Sequence, residues 1–477
     1  DFDAIKGMPG VRRAVEVPNG IAVVADSYWR AKTALEVMPV EWDLGAHANA
    51  SSDVFWKTFR EALDKSGAVA AEKGDALAAI KAAAKVVEAD YEVPYLAHAC
   101  MEPMNCTAQA TPERVDVWVS TQNPEAVLAA AAEITSVAPE NVYVHTCFLG
   151  GGFGRRFYND DVRQAVTVAK ALNGRPVKLI WSREEDIRHD FYRPMAAIRF
   201  RAALDANGVP IAWFNRSVTH SILSGIRPAD VKDGIDRTSV EGLSNIRYGF
   251  PQHRIEHLIQ NTHVPVAFWR SVGASQNAFA VECFLDEVAH AGGKDAVELR
   301  RLLLKDHPDW LHVLDTAAQK ANWGRAMPPG TAQGIAIAES FGSIVAEVAE
   351  VSVSKRGEVR VERVVCAVDC GHVVNPLTIA EQMESSVVYG LTAALYGQIT
   401  IKNGRVVEGN FDDYQMLRLD AMPEVETHLA LSGGTKWGGI GEPGVPPVAP
   451  AVCNAIFKIT GKRVRSLPLS SHDLNWT

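Results

Sequence analysis

Apolar and polar positions along the chain follow two different periods. Period-two runs predict strands, and the clearest are residues 13–17, 21–24, 37–42, 115–120, 196–204, 334–353 and 359–368. Longer runs of helical composition predict helices at 28–35, 125–137, 160–172, 286–304, 377–395 and 449–460. Because strands and helices alternate through most of the chain, we expect an α/β or α+β architecture.

Two stretches divide this pattern into parts. Residues 49–88 have the composition of a helical or linker segment, and residues 307–329 are rich in proline and tryptophan. The predicted parts are therefore 1–48, 89–325 and 326–477, in agreement with roughly three domains for this length. The first part is small for a domain with its own core, so we expect a preceding segment or another chain to complete it.

The composition argues against several classes of protein. The chain has 48 basic and 57 acidic residues and a net charge of −9, which argues against a general nucleic-acid binder because phosphates are not neutralised. It has no run of 18 apolar residues that would predict a membrane-spanning helix. Its seven cysteines include no CxxC pair, which argues against a disulfide scaffold and the common zinc, haem and iron–sulfur spacings.

The densest motif is a glycine-rich loop at residues 147–157, with sequence CFLGGGFGRRF. Three consecutive glycines after a predicted strand let backbone N–H groups face a ligand, and Arg155 and Arg156 add positive charge before a predicted helix. The loop suits an anion, or a cofactor with phosphate and a planar head. The spacing is not GxGxxG, which disfavours a Rossmann site. The alternative is a tight strand-to-helix turn.

A second motif places one carboxylate among glycines and prolines at residues 436–447, KWGGIGEPGVPP. Pro443 favours an extended backbone at Glu442, and the glycines allow close approach of a ligand. With few charges nearby in sequence, Glu442 is a candidate general base. The alternative is an exposed glutamate in a turn.

Three further clusters are less specific when taken alone. Residues 121–124 offer the Gln122 amide, or form only a helix N-cap turn. Residues 268–273 place Arg270 beside small residues, or on a surface loop. Residues 97–103 gather His98, Cys100, Met101 and Glu102, which could bind copper or zinc, although packing around a buried histidine is the commoner outcome.

Taken in order, these motifs resemble the molybdenum-cofactor-binding large subunit of the xanthine oxidase family. The matching series is HACMEP at 98–103, TQNP at 121–124, GGGFGRR at 150–156, RSVG at 270–273, DCGHVVNP at 369–376 and GIGEPG at 439–444. The FGRR form is closest to the branch of isoquinoline 1-oxidoreductase beta subunits and membrane-bound aldehyde dehydrogenase large subunits. The resemblance implies an α+β fold, in which the tail of an α/β hammerhead domain precedes two large mixed α/β molybdenum-cofactor-binding domains.

The resemblance also implies roles for matched residues. Glu442 falls where the family has the base that activates a water-derived oxygen, and Gln122 where the family hydrogen-bonds an oxygen ligand of molybdenum. The implied cofactor-binding residues are Gly151, Gly152, Phe153, Gly154, Arg155, Arg270, Ser271 and Gly441. The chain departs from the family at Ser385 and Ser386, which stand where two glycines are usual. Arg237 and Arg247 are the candidates for the substrate-orienting arginine.

The cofactor implied by the resemblance is molybdopterin cytosine dinucleotide, whose dithiolene holds molybdenum without a protein ligand. Electrons would leave through a small subunit with 2Fe–2S clusters, and this branch often adds a cytochrome c subunit. A periplasmic location, or a membrane association through a partner, is favoured slightly over the cytoplasm.

We therefore expect the catalytic subunit of a molybdenum hydroxylase. It would hydroxylate an aldehyde or an N-heteroaromatic carbon with an oxygen derived from water, and pass the electrons to the iron–sulfur partner. A cofactor-free homologue that serves as a scaffold or assembly protein is the alternative, although Glu442 and Gln122 are both retained. A nucleotide- or phosphate-binding module based on the glycine loop is a third hypothesis, but it offers no use for Glu442.

Overall fold

The computed structural model describes residues 1–477. The helices are α1 Tyr28–Val37, α2 Ser52–Ala62, α3 Ala76–Ala82, α4 Pro124–Thr135, α5 Asp160–Ala171, α6 Arg183–Arg188, α7 Leu223–Ile226, α8 Val272–Ala291, α9 Ala296–Leu303, α10 Pro308–Lys320, α11 Pro376–Leu395 and α12 Val448–Thr460. The strands are β1 Val11–Val17, β2 Gly20–Ala25, β3 Ala68–Lys73, β4 Lys85–Val93, β5 Asn105–Ala110, β6 Val115–Val119, β7 Val142–Thr146, β8 Val177–Ile180, β9 Ala196–Leu204, β10 Pro210–Thr219, β11 Gln252–Ile259, β12 Thr331–Ser340, β13 Ser343–Val353, β14 Val359–Asp369, β15 Ile401–Lys402, β16 Arg405–Val406 and β17 Glu424–Leu429.

The chain forms two compact units, each built from separate segments. Unit 1 comprises residues 1–50, 98–191 and 401–410, and unit 2 comprises residues 51–97, 192–400 and 411–477. The domain boundaries predicted at 48, 88 and 325 remain a prediction.

Unit 1 contains a four-stranded sheet in the order β7-β6-β5-β8. Strands β6 and β7 are parallel, and the other neighbours are antiparallel. Helices α4 and α5 pack on this sheet around a core that includes Val117, Val127 and Val166. The hairpin β1–β2 and helix α1 form a small separate core around Ile5, Ala34 and Met38.

Unit 2 contains a five-stranded sheet, β3-β11-β10-β9-β4, and a four-stranded sheet, β12-β13-β14-β17. Helix α8 is buried along almost its whole length. It contacts strands β4, β9 and β12 and helix α12, so one continuous core spans both sheets. No helix in the chain combines the length and apolar character needed to cross a lipid bilayer.

The mixed α/β fold expected from the sequence is confirmed, but three local predictions need correction. Residues 37–42 are not a strand: α1 continues to Val37, and Pro39 removes a donor that a strand would need. The predicted strand at 334–353 is the hairpin β12–β13, which turns at Phe341 and Gly342 with φ values of 53° and 77°.

The third correction concerns a helix. The segment 286–304 is the end of α8 followed by α9, which Asp295 caps after a break at Gly292 and Gly293. The stretch 307–329, which was predicted to contain a domain boundary, includes α10, whose first residue is Pro308. Proline is favoured at that position because its missing N–H has no partner within a helix.

Candidate active site

The glycine-rich loop in unit 1 leads from β7 to a short 3-10 turn, Arg155–Phe157, just before α5. Gly154 has a φ of 107° and Phe153 a φ of 54°. The left-handed region accommodates glycine best, so the loop depends on glycine where it reverses direction. Four of the five residues from 150 to 154 have no side chain, as expected for a surface that receives a ligand.

The Gln122 amide is held by this loop. Its Oε1 accepts hydrogen bonds from the N–H groups of Gly154 (3.2 Å) and Arg156 (3.3 Å). A Cβ at Gly152 would lie 2.7 Å from the same oxygen, so no larger residue fits there without displacing the amide. The side chain is exposed, and its Nε2 group donates to no protein acceptor. The loop therefore fixes Gln122 with its N–H groups available to a ligand.

Glu102 and Arg156 form a clamp on the same loop. The buried Arg156 donates through Nη2 to the Glu102 carboxylate (3.0 Å) and through Nε to the Gly151 carbonyl (2.7 Å). Glu102 in turn accepts from the Gly150 N–H (2.8 Å). A Cβ at Gly150 would overlap the Glu102 Cβ. Glu102 is thus a loop-positioning residue rather than the metal ligand considered from the sequence.

A buried charge network lies behind the loop. Arg155, only 1% exposed, donates to Asp160 (2.8 Å) and lies 3.1 Å from Asp190. The Nδ1 atom of His98 lies 2.9 Å from the same Asp190 carboxylate. The guanidinium of Arg155 is therefore already paired within the protein, and the cofactor contact assigned to this residue remains a prediction. No group of three or more His, Cys, Asp or Glu side chains is arranged to hold a metal ion.

In unit 2, Ser271 holds Glu442. The Ser271 N–H donates to Glu442 Oε1 over 3.0 Å, and the Ser271 hydroxyl donates to the Glu442 carbonyl over 2.6 Å. Burial raises the pKa of Glu442 above its usual value, although the Ser271 hydrogen bond and the Arg270 charge oppose the increase. The second oxygen, Oε2, accepts no protein hydrogen bond and is available to take a proton.

Arg270 connects the Glu442 loop to helix α11. Its Nε donates to the Gly441 carbonyl (2.8 Å), and its other nitrogens donate to Gln382 Oε1 and to the Ser385 hydroxyl, each at 3.0 Å. Burial lowers the pKa of this guanidinium. Ser385 is therefore a hydrogen-bond partner of Arg270, although the family usually has glycine at this position.

The structure groups the predicted residues by unit. Unit 1 contains Gln122 in contact with the loop that includes Gly151, Gly152, Phe153 and Gly154. Unit 2 contains Glu442 in contact with Ser271, and Gly441 in contact with Arg270. The clamp role of Glu102 was missed, because sequence spacing could not indicate which distant backbone it would bind.

Two family models cover most of the chain. Both describe a molybdopterin cofactor-binding domain, and they match residues 60–304 and 303–423. The chain belongs to the molybdopterin cofactor-binding domain family. The resemblance to xanthine oxidase family large subunits is thereby confirmed.

Curated relatives cover nearly all of this chain. It is 29% identical to the beta subunit of isoquinoline 1-oxidoreductase of Brevundimonas diminuta over 98% of this chain and 62% of the relative. It is 30% identical to a membrane-bound aldehyde dehydrogenase (pyrroloquinoline-quinone) of Gluconacetobacter polyoxogenes, over 96% of this chain and 63% of the relative. The chain thus spans less than two thirds of the length of these relatives.

Solved structures share the fold. Quinoline 2-oxidoreductase from Pseudomonas putida 86 superposes with a TM-score of 0.78 and 15% identity, over 98% of this chain and 91% of that one. Aldehyde oxidoreductase from Desulfovibrio gigas gives a TM-score of 0.75 and 15% identity, over 98% of this chain and 74% of that one. These likenesses support the mixed α/β fold.

The residues present fit a molybdenum–pterin cofactor. A loop composed almost wholly of glycine offers backbone N–H groups, and the Gln122 amide has unused donors.

Proposed function

We propose that this chain is the catalytic, cofactor-binding part of a molybdenum hydroxylase. It oxidises an aldehyde or an N-heteroaromatic carbon, with oxygen from water, and delivers the electrons to an iron–sulfur partner. The observation that carries the proposal is the Glu442 carboxyl, which Ser271 orients by one oxygen while leaving the other unbonded.

Glu442 acts as the general base. The bound molybdenum–pterin cofactor supplies the two-electron oxidation and the site at which a water-derived oxygen is activated. Glu442 Oε2, which accepts no protein hydrogen bond, would take up the proton that this oxygen releases. Because burial raises the pKa of Glu442, the carboxylate binds a proton more readily than an ordinary glutamate.

The loop residues hold and orient the cofactor. Gln122 would hold the cofactor through its Nε2 donor, and Gly151, Gly152, Phe153 and Gly154 would face it with their backbone. In unit 2, Arg270, Ser271 and Gly441 keep the Glu442 loop in place through the hydrogen bonds described above. Preorganised donors of this kind supply much of the electrostatic stabilisation in enzyme sites.

Molybdopterin cytosine dinucleotide is the proposed form of the cofactor. The proposed partners are a small subunit with 2Fe–2S clusters, a cytochrome c subunit, and a segment or chain that completes the hammerhead domain. Two relatives are named as parts of larger enzymes, namely the beta subunit of isoquinoline 1-oxidoreductase and the B subunit of nicotinate dehydrogenase of Pseudomonas putida. A partner in the periplasm or at a membrane is consistent with the expected location.

The experiment is metal and nucleotide analysis of the purified complex, followed by turnover assays. We expect near-stoichiometric molybdenum, release of a cytosine nucleotide on acid treatment, and reduction of an artificial dye with an aldehyde or a quinoline-type ring. Protein that is folded but contains neither molybdenum nor pterin would instead support the scaffold alternative.

A further inference from the structure

A loop in unit 2 places a second carboxyl, Glu241, against the start of helix α8. The Asn277 side chain on α8 donates to the carbonyls of Ser239 (2.9 Å) and Glu241 (2.7 Å). A Cβ at Gly273 would overlap the Thr238 carbonyl, so the loop rests directly on the first turn of α8.

The same end of α8 adjoins the Glu442 loop. Ser271, the residue that precedes α8, donates to the Glu442 carboxylate. The charge of Glu442 is among those that act on Glu241. The two carboxyls therefore share one end of this helix, although they are far apart in sequence.

Glu241 differs from the other acids nearby in having no hydrogen-bond partner for its side chain. Both oxygens of Asp236 accept protein donors, including Ser221 and Thr238. The carboxylate of Glu339 accepts from Asn245 and from the Gly342 N–H. Only the backbone of Glu241 accepts a protein hydrogen bond, and its half-buried carboxyl has no protein partner.

We propose that Glu241 determines substrate specificity: its carboxylic acid O–H donates a hydrogen bond to the ring nitrogen of an N-heteroaromatic substrate, next to the carbon that is hydroxylated. This inference rests on the proposed function and selects the N-heteroaromatic class. A pyridine-type nitrogen is a stronger hydrogen-bond acceptor than an aldehyde oxygen, and it gains negative charge as the neighbouring carbon is attacked. A hydrogen-bond donor at that nitrogen therefore stabilises the transition state more than the bound substrate.

The electrostatic surroundings keep Glu241 protonated to near neutral pH. Burial raises the pKa of Glu241 to about 7; Arg237 lowers it, whereas Asp236, Glu442 and Glu339 raise it. The α8 residues that face the loop, Gly273, Ala274, Asn277 and Ala278, carry no charge. The acid is thus a donor below about pH 7 and loses that capacity above it.

The test compares quinoline with benzaldehyde as substrates of the whole complex from pH 5.5 to 9. In the wild type we expect kcat/KM for quinoline to fall as the pH rises through about 7, while benzaldehyde shows no such fall. Glu241→Leu removes the donor and lowers kcat/KM for quinoline at least about fivefold at pH 6.5, the loss of one hydrogen bond, without changing the value for benzaldehyde. Glu241→Gln keeps an N–H donor, so quinoline turnover is retained and its fall near pH 7 disappears.

Two controls separate the possible failures. Glu424→Gln removes an exposed carboxylate on β17 and leaves both substrates unaffected. Infrared difference spectra should contain a protonated-carboxyl band at pH 6 that Glu241→Gln lacks, whatever the activity. Wild-type protein without molybdenum and without turnover contradicts the proposed function itself. A loaded, active enzyme that oxidises only aldehydes, or whose Glu241→Leu variant loses both activities equally, overturns the role of Glu241.

Discussion

Ser271 binds Glu442 at two points, through its main-chain N–H to the carboxylate and through its hydroxyl to the Glu442 carbonyl. Both the direction of the side chain and the backbone that carries it are thus fixed by one residue. Orientation of this kind is what a general base requires, because proton transfer depends on hydrogen-bond reach. One carboxylate oxygen is used for positioning and the other stays available for chemistry.

Glu442→Gln should abolish most turnover and spare the cofactor. Glutamine has nearly the same shape and still accepts the Ser271 hydrogen bond, but it cannot take up a proton. We expect kcat to fall at least about a hundredfold, with unchanged molybdenum content. Steady-state kinetics and metal analysis of the same preparation check this, and a fully active Glu442→Gln enzyme would exclude the proposed base.

The activity of the wild type should also decline in acid. Burial raises the pKa of Glu442, so the base becomes protonated, and turnover is lost, at a pH above the usual range for a glutamate. The pH profile of kcat measures this. A profile that stays flat to pH 4 in folded, loaded enzyme contradicts it.

Gly152→Ala should disturb the Gln122 amide. The new Cβ would lie 2.7 Å from Gln122 Oε1, so the amide must move away from the loop. Displacement of about 1 Å can cost up to about a hundredfold in rate, and we expect a loss of at least about tenfold in kcat/KM. Gly7→Ala is the matched control in unit 1, because no heavy atom lies within 4 Å of a Cβ there.

Glu102→Ala should destabilise unit 1 by breaking the clamp on the glycine loop. Removing one partner of a buried ion pair costs about 3–5 kcal/mol, and the partial exposure of Glu102, 29% of its side chain, reduces the expected loss to about 2 kcal/mol. Thermal unfolding measures it. Glu133→Ala, which breaks an exposed pair with Arg163, should leave the melting temperature nearly unchanged, because exposed ion pairs add little stability; equal losses in the two variants would contradict a clamp.

Asp161→Asn should stabilise the protein at alkaline pH. Burial raises the pKa of Asp161 to about 7, and its Oδ2 has no hydrogen-bond partner. The acid therefore contributes most to stability below its unfolded pKa of about 4, and that contribution is lost as the pH rises through about 7. We expect the melting temperature at pH 8 to rise by about 3 °C or more, with little change at pH 4.

A matched neighbour provides the comparison for this prediction. Asp160 lies beside Asp161 in the first turn of α5 but pairs with the buried Arg155. Asp160→Asn should therefore lower the melting temperature at pH 8. If both substitutions shift the melting temperature in the same direction, burial of Asp161 does not explain the effect of Asp161→Asn.

Sequence patterns predicted the family, the fold class and most of the helices and strands, because these depend on local periodicity and on motifs in a fixed order. They did not predict the hairpin at Phe341 and Gly342, because a turn of only two residues is too short to interrupt the strand-like pattern on either side. The Ser271–Glu442 contact joins residues that are 171 positions apart, and no spacing rule indicates such a pair. For the same reason Glu102 resembled a possible metal ligand until its backbone partners were known. The roles of Glu442, Gln122 and the loop residues remain predictions.

Arg270 couples helix α11 to the loop that carries Glu442. Its guanidinium donates hydrogen bonds to the Gly441 carbonyl beside Glu442 and to two side chains of α11. A displacement of α11 would therefore also move the backbone beside the acid, and with it the direction of the carboxyl group.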